Sequence, residues 1–282
     1  MEQILFVVWR ESVEALLVVG ILYAWLKNGD AAARRALPYL WTGVAAGLVA
    51  AVVLGAVLIG VTEELTGTAL DAFQAAMVLV ASVLIVQMVL WMKRHGRTLK
   101  RDMEKALEEN TRRENHWGIA LLVALAIARE GSETVIFLYG LGFGQSGHIT
   151  AAMYAGVFGG LALAFLTFYL LQLGGHLFSW RRFFRVTEIL LLLLAAGLLE
   201  NGVDKLISLD WLPTLGDQFW NTSVVLDDGN GIGAFIATLT GYRAHPSLLN
   251  VLTYAAFWLG VWYLTRRAGK PAGTPKTALT GR

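Results

Sequence analysis

The chain has 282 residues, of which 56% are hydrophobic and only 16% are charged, and it contains no cysteine. Soluble domains carry about 25% charged residues, so this composition is typical of a polytopic membrane protein. The lack of cysteine excludes a disulfide framework and a thiolate metal site. The formal net charge of +2 arises from bases grouped in a few connecting segments, which indicates membrane topology rather than nucleic-acid binding.

Seven apolar segments are long enough to cross a bilayer as helices, which takes about 20 residues each. They lie near residues 4–26, 40–62, 72–92, 117–143, 150–172, 185–203 and 248–265. The first segment lacks a preceding basic residue and a small-residue cleavage pattern, so it is expected to be a retained helix rather than a signal peptide. The sequence therefore predicts an all-α polytopic membrane protein with seven transmembrane helices.

Lysine and arginine fix the predicted orientation, because cytoplasmic loops retain positive charge. Nineteen of the 23 lie in segments 27–39, 93–116, 173–185 and from residue 266 onward. Acidic residues collect in the alternate connections. The amino terminus is therefore predicted outside and the carboxyl terminus inside, with an acidic outer face that raises the local concentration of cations.

A single transmembrane domain is predicted over residues 1–265, followed by a flexible cytoplasmic tail at 266–282. Its parts are repeat one at 1–93, a cytoplasmic loop at 94–116, repeat two at 117–203, an external loop at 204–247 and helix seven at 248–265. The external loop contains a ten-residue apolar run that is too short to cross the bilayer, so it is expected to be interfacial or re-entrant.

Two charged runs lie inside apolar segments. They read R-E-S-V-E at residues 10–14 and R-E-G-S-E at residues 129–133, so both follow the pattern R-E-x-x-E. One charged side chain near the bilayer centre costs roughly 2.5 to 3.5 kcal/mol, and six of them cost on the order of 15 to 20 kcal/mol. A cost of this size indicates a function.

The two motifs are predicted to meet at one depth. A helix rises about 1.5 Å per residue, which puts Glu11 about 10 Å below the outer boundary and Glu130 about 20 Å above the inner one, in a core about 30 Å thick. Glu14 and Glu133 then lie a few ångström to either side. Because the first and fourth helices run in opposite directions, the sequence predicts a 3+3 inverted repeat, as in many secondary transporters, plus one C-terminal helix.

Glutamates at positions i and i+3 share a helix face, so two such faces form a carboxylate cage for one cation. Arg10 and Arg129 precede Glu14 and Glu133 by four residues and are placed to pair with them, which leaves the site a net charge of −2. Carboxylate ligands select hard cations; ferric iron is the hardest, and manganese, magnesium and calcium stay open. Alternatively, the charges form salt bridges that lock the bundle, although buried ion pairs often contribute little stability.

The twin motif resembles the oxidase-dependent iron permease family, whose members carry R-E-G-x-E in helices 1 and 4 of a seven-helix fold. Supporting matches are T-E-E-L-T-G at 62–67, W-M-K-R at 91–94, and Gly241-Tyr242 followed by Pro246-Ser247. The resemblance covers the chain to about residue 265. Departures from the family pattern are Ser12, Val13 and Ser132, and they leave the metal open to manganese or lead.

The resemblance implies an iron permease that moves Fe³⁺, or Fe²⁺ oxidised at the outer face, through the plasma membrane (the bacterial inner membrane) into the cytosol. It implies iron ligation by Glu11, Glu14, Glu130 and Glu133, with Arg10 and Arg129 as their partners. Iron is then substrate and not a prosthetic group, and an extracytoplasmic oxidase or iron-binding protein is an expected partner. A carboxylate-metal membrane oxidoreductase is the less favoured alternative.

Acidic residues of the predicted outer face are candidate entrance groups. They are Glu63, Glu64, Asp227 and Asp228, followed by Glu200 and Asp204. The alternative is that these are solvated loop acids. The sequence contains no nucleotide-binding motif, so a secondary transporter is predicted rather than an enzyme or an ATP-driven pump.

Overall fold

The computed structural model describes residues 2–95, 98–113, 115–142, 150–173, 180–213, 215–216, 220–224, 226–229 and 231–268. Ten helices lie within these residues: α1 Glu2–Asn28, α2 Ala31–Arg35, α3 Leu37–Glu64, α4 Thr68–His95, α5 Leu99–Arg112, α6 His116–Gly140, α7 Ala151–Leu173, α8 Trp180–Ser208, α9 Gly231–Thr240 and α10 Leu248–Ala268. The part of the predicted tail beyond residue 268 lies outside the described residues.

Five of these helices, α3, α4, α7, α8 and α10, are long and apolar enough to cross a bilayer, which confirms the prediction of a multi-pass membrane protein. Helices α1 and α6 contain 27 and 25 residues, a sufficient length at about 1.5 Å per residue. Each, however, carries the three charged residues of one motif. Their crossing, and with it the total of seven spans, stays a prediction.

The predicted loop at 94–116 contains a helix of its own. Helix α5 has one apolar side, and its Leu107 is fully buried in a cluster with Leu22 and Leu26 of α1 and Ile119 of α6. Apolar burial is the main force that orders such a segment. The polar segment is therefore anchored to the ends of the two motif helices.

Helix α3 packs along α6, and a glycine brings their backbones into contact. A Cβ atom added to Gly47 would lie 2.7 Å from Ile127 Cβ and 2.9 Å from both Ala124 O and Ala128 N. Only a residue without a side chain fits at this distance. Small residues let helices approach closely in membranes, so Gly47 fixes α3 against the residues that directly precede Arg129.

Helix α7 packs along α1 in a matching way. A Cβ atom added to Gly160 would lie 2.8 Å from Leu5 O, 2.9 Å from Val8 Cβ and 3.0 Å from Trp9 N. These are the same three kinds of atom that Gly47 meets, on residues 119 positions earlier in the chain. The two motifs are also 119 positions apart, so each motif helix is held at the same point by one glycine.

Apolar side chains pack on both sides of the motifs. The first apolar cluster contains Val7 of α1 and Phe137 of α6, together with residues of α4, α8 and α10. The second apolar cluster contains Val18 of α1 and Ile127 of α6, together with residues of α2, α3 and α5. The start of α1 meets the end of α6 in the first cluster, and the second half of α1 meets the first half of α6 in the second cluster. The two helices are therefore antiparallel, and the charged residues of the motifs lie between two apolar layers.

Candidate metal centre

The two motif helices supply the charged residues of the site from opposite sides. Arg10 and Glu11 on α1 are 3% and 1% exposed, and Glu130 on α6 is 9% exposed. Inside each helix the two glutamates are three residues apart, so their side chains leave the helix on one face. The antiparallel packing of α1 and α6 turns these faces toward each other.

Three of the four predicted ligands converge. Glu11, Glu14 and Glu130 each offer a carboxylate oxygen, and these atoms lie within 4.8 Å of one another. The fourth glutamate, Glu133, lies near enough for its charge to act on Glu11 and Glu14. The Oε2 atoms of Glu11, Glu130 and Glu133 are buried and lack a hydrogen-bond partner among the described residues. Buried polar atoms are nearly always paired, and a cation held among these oxygens would pair them.

Arg10 neutralises the first motif. Its Nη1 donates to Glu11 Oε1 at 2.7 Å, and its Nη2 lies 2.5 Å from Glu14 Oε1. The same Nη1 contacts the sulfur of Met88 on α4 at 2.8 Å. The hydrogen bond to Glu11 is charge-assisted and therefore short and strong, and the contact with Glu14 is an ion pair, so Arg10 holds both glutamates of its helix.

Arg129 is placed differently. Its Nε donates to Glu133 Oε1 at 3.0 Å, and its side chain is 37% exposed. The guanidinium lies 4.0 Å from the centre of the Trp91 ring on α4, an attractive cation–π geometry. The second motif therefore has an ion pair with a partly solvated base, whereas the first has a buried one.

Sequence reasoning missed the role of α4 beside both arginines. Trp91 stood out only as part of the W-M-K-R match at 91–94, and Met88 did not stand out at all. Both lie in an apolar helix where every third or fourth residue is buried. Helical periodicity places a residue on a face but does not say which charged group that face meets, so the sequence held no signal for these contacts.

The candidate entrance residues come from different elements of the described chain. Glu63 and Glu64 are exposed at the end of α3. Asp227 Oδ1 accepts from Gly229 N at 2.9 Å, and Asp228 Oδ2 accepts from Ala244 N at 3.0 Å. The two aspartates thus stabilise their own loop. Within the described part of the chain, Glu11, Glu14 and Glu130 are the one group of three or more acidic or histidine side chains with metal-ligand spacing.

Glu200 and Asp204 lie in a separate polar cluster on α8. Glu200 is buried, and Asp204 forms an ion pair with Arg243 at 2.6 Å. Asn250 of α10 also contacts Asp204. Sequence reasoning identified the two acids but neither partner. Arg243 lies in the predicted external loop and Asn250 directly after it, so their positions depend on how that loop folds.

Comparison with known proteins relates the chain to iron permeases. The model of the family described as "Iron permease FTR1 family" matches residues 1–265. A relative named "Ferrous iron permease EfeU" from Escherichia coli O6:K15:H31 is 28% identical over 93% of this chain and 95% of its own length. A protein of the same name from Yersinia pestis is 27% identical, covering 88% and 87%. No solved structure matches the chain.

Proposed function

The chain belongs to the iron permease FTR1 family, and we propose that it moves iron across the bacterial inner membrane into the cytosol through the cage of Glu11, Glu14, Glu130 and Glu133. The observation that carries the proposal is the convergence of carboxylate oxygens from α1 and α6 to within 4.8 Å. Oxygen-only ligation suits iron in preference to soft metals. Ionisable residues inside membrane helices are rare and mark transport paths.

The proposal includes a 3+3 inverted repeat with the amino terminus outside. In this repeat α1 corresponds to α6 and α3 corresponds to α7. The contact between α1 and α7 therefore corresponds to a contact between α6 and α3, and both pairs of helices are in contact. The matching contacts of Gly47 and Gly160 support the same correspondence. Transporters built from inverted repeats bind their substrate at the repeat interface near the bilayer centre, which is where the cage lies in this scheme.

Movement of the ion requires that the two apolar clusters open in turn. With the predicted orientation, the first apolar cluster, which contains Phe137, separates the cage from the outside. The second apolar cluster, which contains Val18 and Leu107, separates it from the cytosol. Alternating access by rocking of one helix bundle against the other would loosen one cluster while the other stays packed.

The charge of the cage bears on the oxidation state of the ion. Four glutamates and two arginines sum to −2, so Fe²⁺ gives a neutral buried site while both arginines stay in place. Fe³⁺ leaves one positive charge, although it is the harder ion and prefers carboxylates more strongly. The relatives are named ferrous iron permeases. If the ion enters as Fe³⁺, an extracytoplasmic oxidase or iron-binding protein is its source.

Entry from the outside would begin at the acids of the outer face, Glu63, Glu64, Asp227 and Asp228. Their carboxylates attract cations over roughly the Debye length of 8 Å at physiological ionic strength. The test is replacement of all four by the corresponding amides. Uptake at limiting iron should fall while uptake at saturating iron stays the same, and equal uptake at both concentrations would remove these residues from the path.

The decisive experiment is radiolabelled iron uptake into proteoliposomes with Glu130→Gln. The amide keeps the size of the side chain but loses the charge, so uptake should disappear while insertion and folding persist. Glu109→Gln is the matched control, because Glu109 pairs with Arg113 on the surface of α5. Normal uptake by Glu130→Gln would refute the ligand assignment.

The same vesicles distinguish the ions. Uptake is measured anaerobically with Fe²⁺, then with Fe³⁺ held soluble by citrate, each with and without a pH gradient. Transport of Fe²⁺ alone would assign the ferrous ion to the cage, and transport only after addition of an oxidant would assign the ferric ion. Competition by Mn²⁺ and Pb²⁺ measures the metal selectivity. Turnover of a redox substrate without metal flux would favour the oxidoreductase alternative.

A further inference from the structure

A second group of ligand-type oxygen atoms lies near the carboxyl end of α8. Glu200 and Asp204 are four residues apart and share one face of the helix. Glu200 is 2% exposed, and its Oε1 is buried without a hydrogen-bond partner among the described residues. The side chain of Asp204 is 40% exposed. The carboxylate of Asp204 is therefore accessible to solvent, whereas that of Glu200 is buried.

Two amide side chains adjoin this group. Asn250 of α10 donates from Nδ2 to Asp204 Oδ1 at 2.7 Å and also lies beside Glu200, while its own Oδ1 accepts from Ser247 Oγ. The Oδ1 atom of Asn201 accepts from Arg243 at 2.6 Å. Carboxylate and amide oxygens are the side-chain ligands that hard cations such as Ca²⁺ take in proteins. The carboxylates of Glu200 and Asp204 and the Oδ1 atom of Asn201 are oxygen atoms of this type.

The guanidinium of Arg243 bridges Asp204 and Asn201. Its Nη2 donates to Asp204 Oδ2 and to Asn201 Oδ1, both at 2.6 Å. The loop before it is held on α8 by a close backbone approach: Gly241 has φ +75°, and a Cβ there would lie 2.8 Å from Gly197 Cα. Because only glycine tolerates both conditions, the loop is fixed one turn from Glu200 and Arg243 acts as a tethered positive charge.

The geometry points to a second cation site, in which Glu200, Asp204 and the amide oxygen of Asn201 bind a divalent hard cation that displaces Arg243. Two carboxylates without the arginine carry −2, which a divalent ion neutralises. The inference rests on the proposed function in one respect, since it takes iron as the physiological cation. With the predicted orientation, the site faces outside and binds the ion before it reaches the cage.

Equilibrium dialysis of purified protein against Fe²⁺ under anaerobic conditions tests the site by counting bound ions. The wild-type chain should bind two ions and Glu130→Gln one. The Glu200→Gln/Asp204→Asn double variant should also bind one, and the combination of all three substitutions none. Glu188→Gln is the matched control, because it removes another carboxylate of α8, one that pairs with Lys93 at 2.6 Å; it should bind two.

Arg243→Gln separates a binding site from a merely structural cluster. If Arg243 competes with the cation, its removal in the Glu130→Gln background should tighten Fe²⁺ binding roughly tenfold. A structural role predicts loss of thermal stability with no gain in affinity. This variant also decides the question if the Glu200→Gln/Asp204→Asn variant does not fold.

Two results would overturn the inference. One is an unchanged ion count in the Glu130→Gln background when Glu200 and Asp204 are replaced, and the other is unchanged affinity with Arg243→Gln. Failure of the proposed function gives a different result, namely normal iron uptake by Glu130→Gln, and it leaves the ion count at Glu200 and Asp204 as an independent readout.

Discussion

The two R-E-x-x-E motifs have one pattern but different surroundings. In the first, Arg10 is buried and contacts Glu11, Glu14 and Met88. In the second, Arg129 is 37% exposed, pairs with Glu133 and lies on Trp91. The free energy of a buried charge depends on its partners far more than that of a solvated one. The first motif is therefore expected to contribute more to folding, while both contribute to the cage.

Helix α4 causes this difference. Met88 and Trp91 are three residues apart on α4 and lie next to the two arginines, so a single helix serves both motifs. A strict two-fold exchange would instead place α8 beside one of them. The internal repeat thus gives two equal pairs of glutamates. Helix α4, which contacts both motifs, places their two arginines in unequal surroundings.

The largest expected effect comes from removing each arginine. Arg10→Ala leaves two buried glutamates without their base, and breaking a buried pair costs about 3 to 5 kcal/mol. Arg129→Ala leaves Glu133 without its base beside a partly solvated position, so its cost should be clearly smaller. Thermal unfolding in detergent, followed by tryptophan fluorescence, measures both. Equal losses would show that the two motifs are equivalent in the folded protein.

The glycine contacts should show no such difference between the halves. Gly47→Ala and Gly160→Ala each force a Cβ into backbone and side-chain atoms at 2.7 to 3.0 Å, and overpacking costs about 1 to 3 kcal/mol. The unfolding temperature should drop by similar amounts in both. Gly60→Ala is the control on α3, because nothing lies within 4 Å of its added Cβ, and it should be neutral or stabilising. A large inequality between Gly47→Ala and Gly160→Ala would argue against the repeat.

Replacing Trp91 by leucine removes the ring beneath Arg129. A cation–π contact at a partly exposed site contributes about 0.5 to 1 kcal/mol, so the loss of stability should be of that order. The double-mutant cycle of Trp91→Leu with Arg129→Ala isolates the pair. Additive effects of the two changes would mean that the contact contributes nothing.

The smallest effect is expected for Met88→Leu. Leucine has nearly the same volume, and such exchanges cost less than about 1.5 kcal/mol, but Arg10 loses the sulfur contact and keeps only its glutamates. Iron uptake should retain the wild-type maximal rate. A strong change in the ratio of iron to manganese uptake would show that the sulfur takes part in metal selection, which would make the two halves of the cage chemically different.

Much of the site follows from the sequence because it depends on regular geometry. The rise and period of a helix are enough to put Glu11, Glu14 and Glu130 at one level, and the structure brings their oxygens together. The contacts of Met88, Trp91 and Arg243 were not predictable, since they depend on which helix faces lie together and on the fold of a loop. The burial of Leu107 was missed because α5 is so polar overall that its narrow apolar side does not stand out.

The glycine contacts also restrict how the molecule can change shape. Where two backbones touch, neither helix can slide without first separating, so α1 travels with α7 and α3 travels with α6 as two rigid blocks. The interface between the blocks, where α1 meets α6, contains glutamates instead of close glycine contacts. The negative charges of these glutamates repel each other and push the blocks apart. An ion bound between the glutamates would then hold the two blocks together. Its release would allow the blocks to shift for the next cycle.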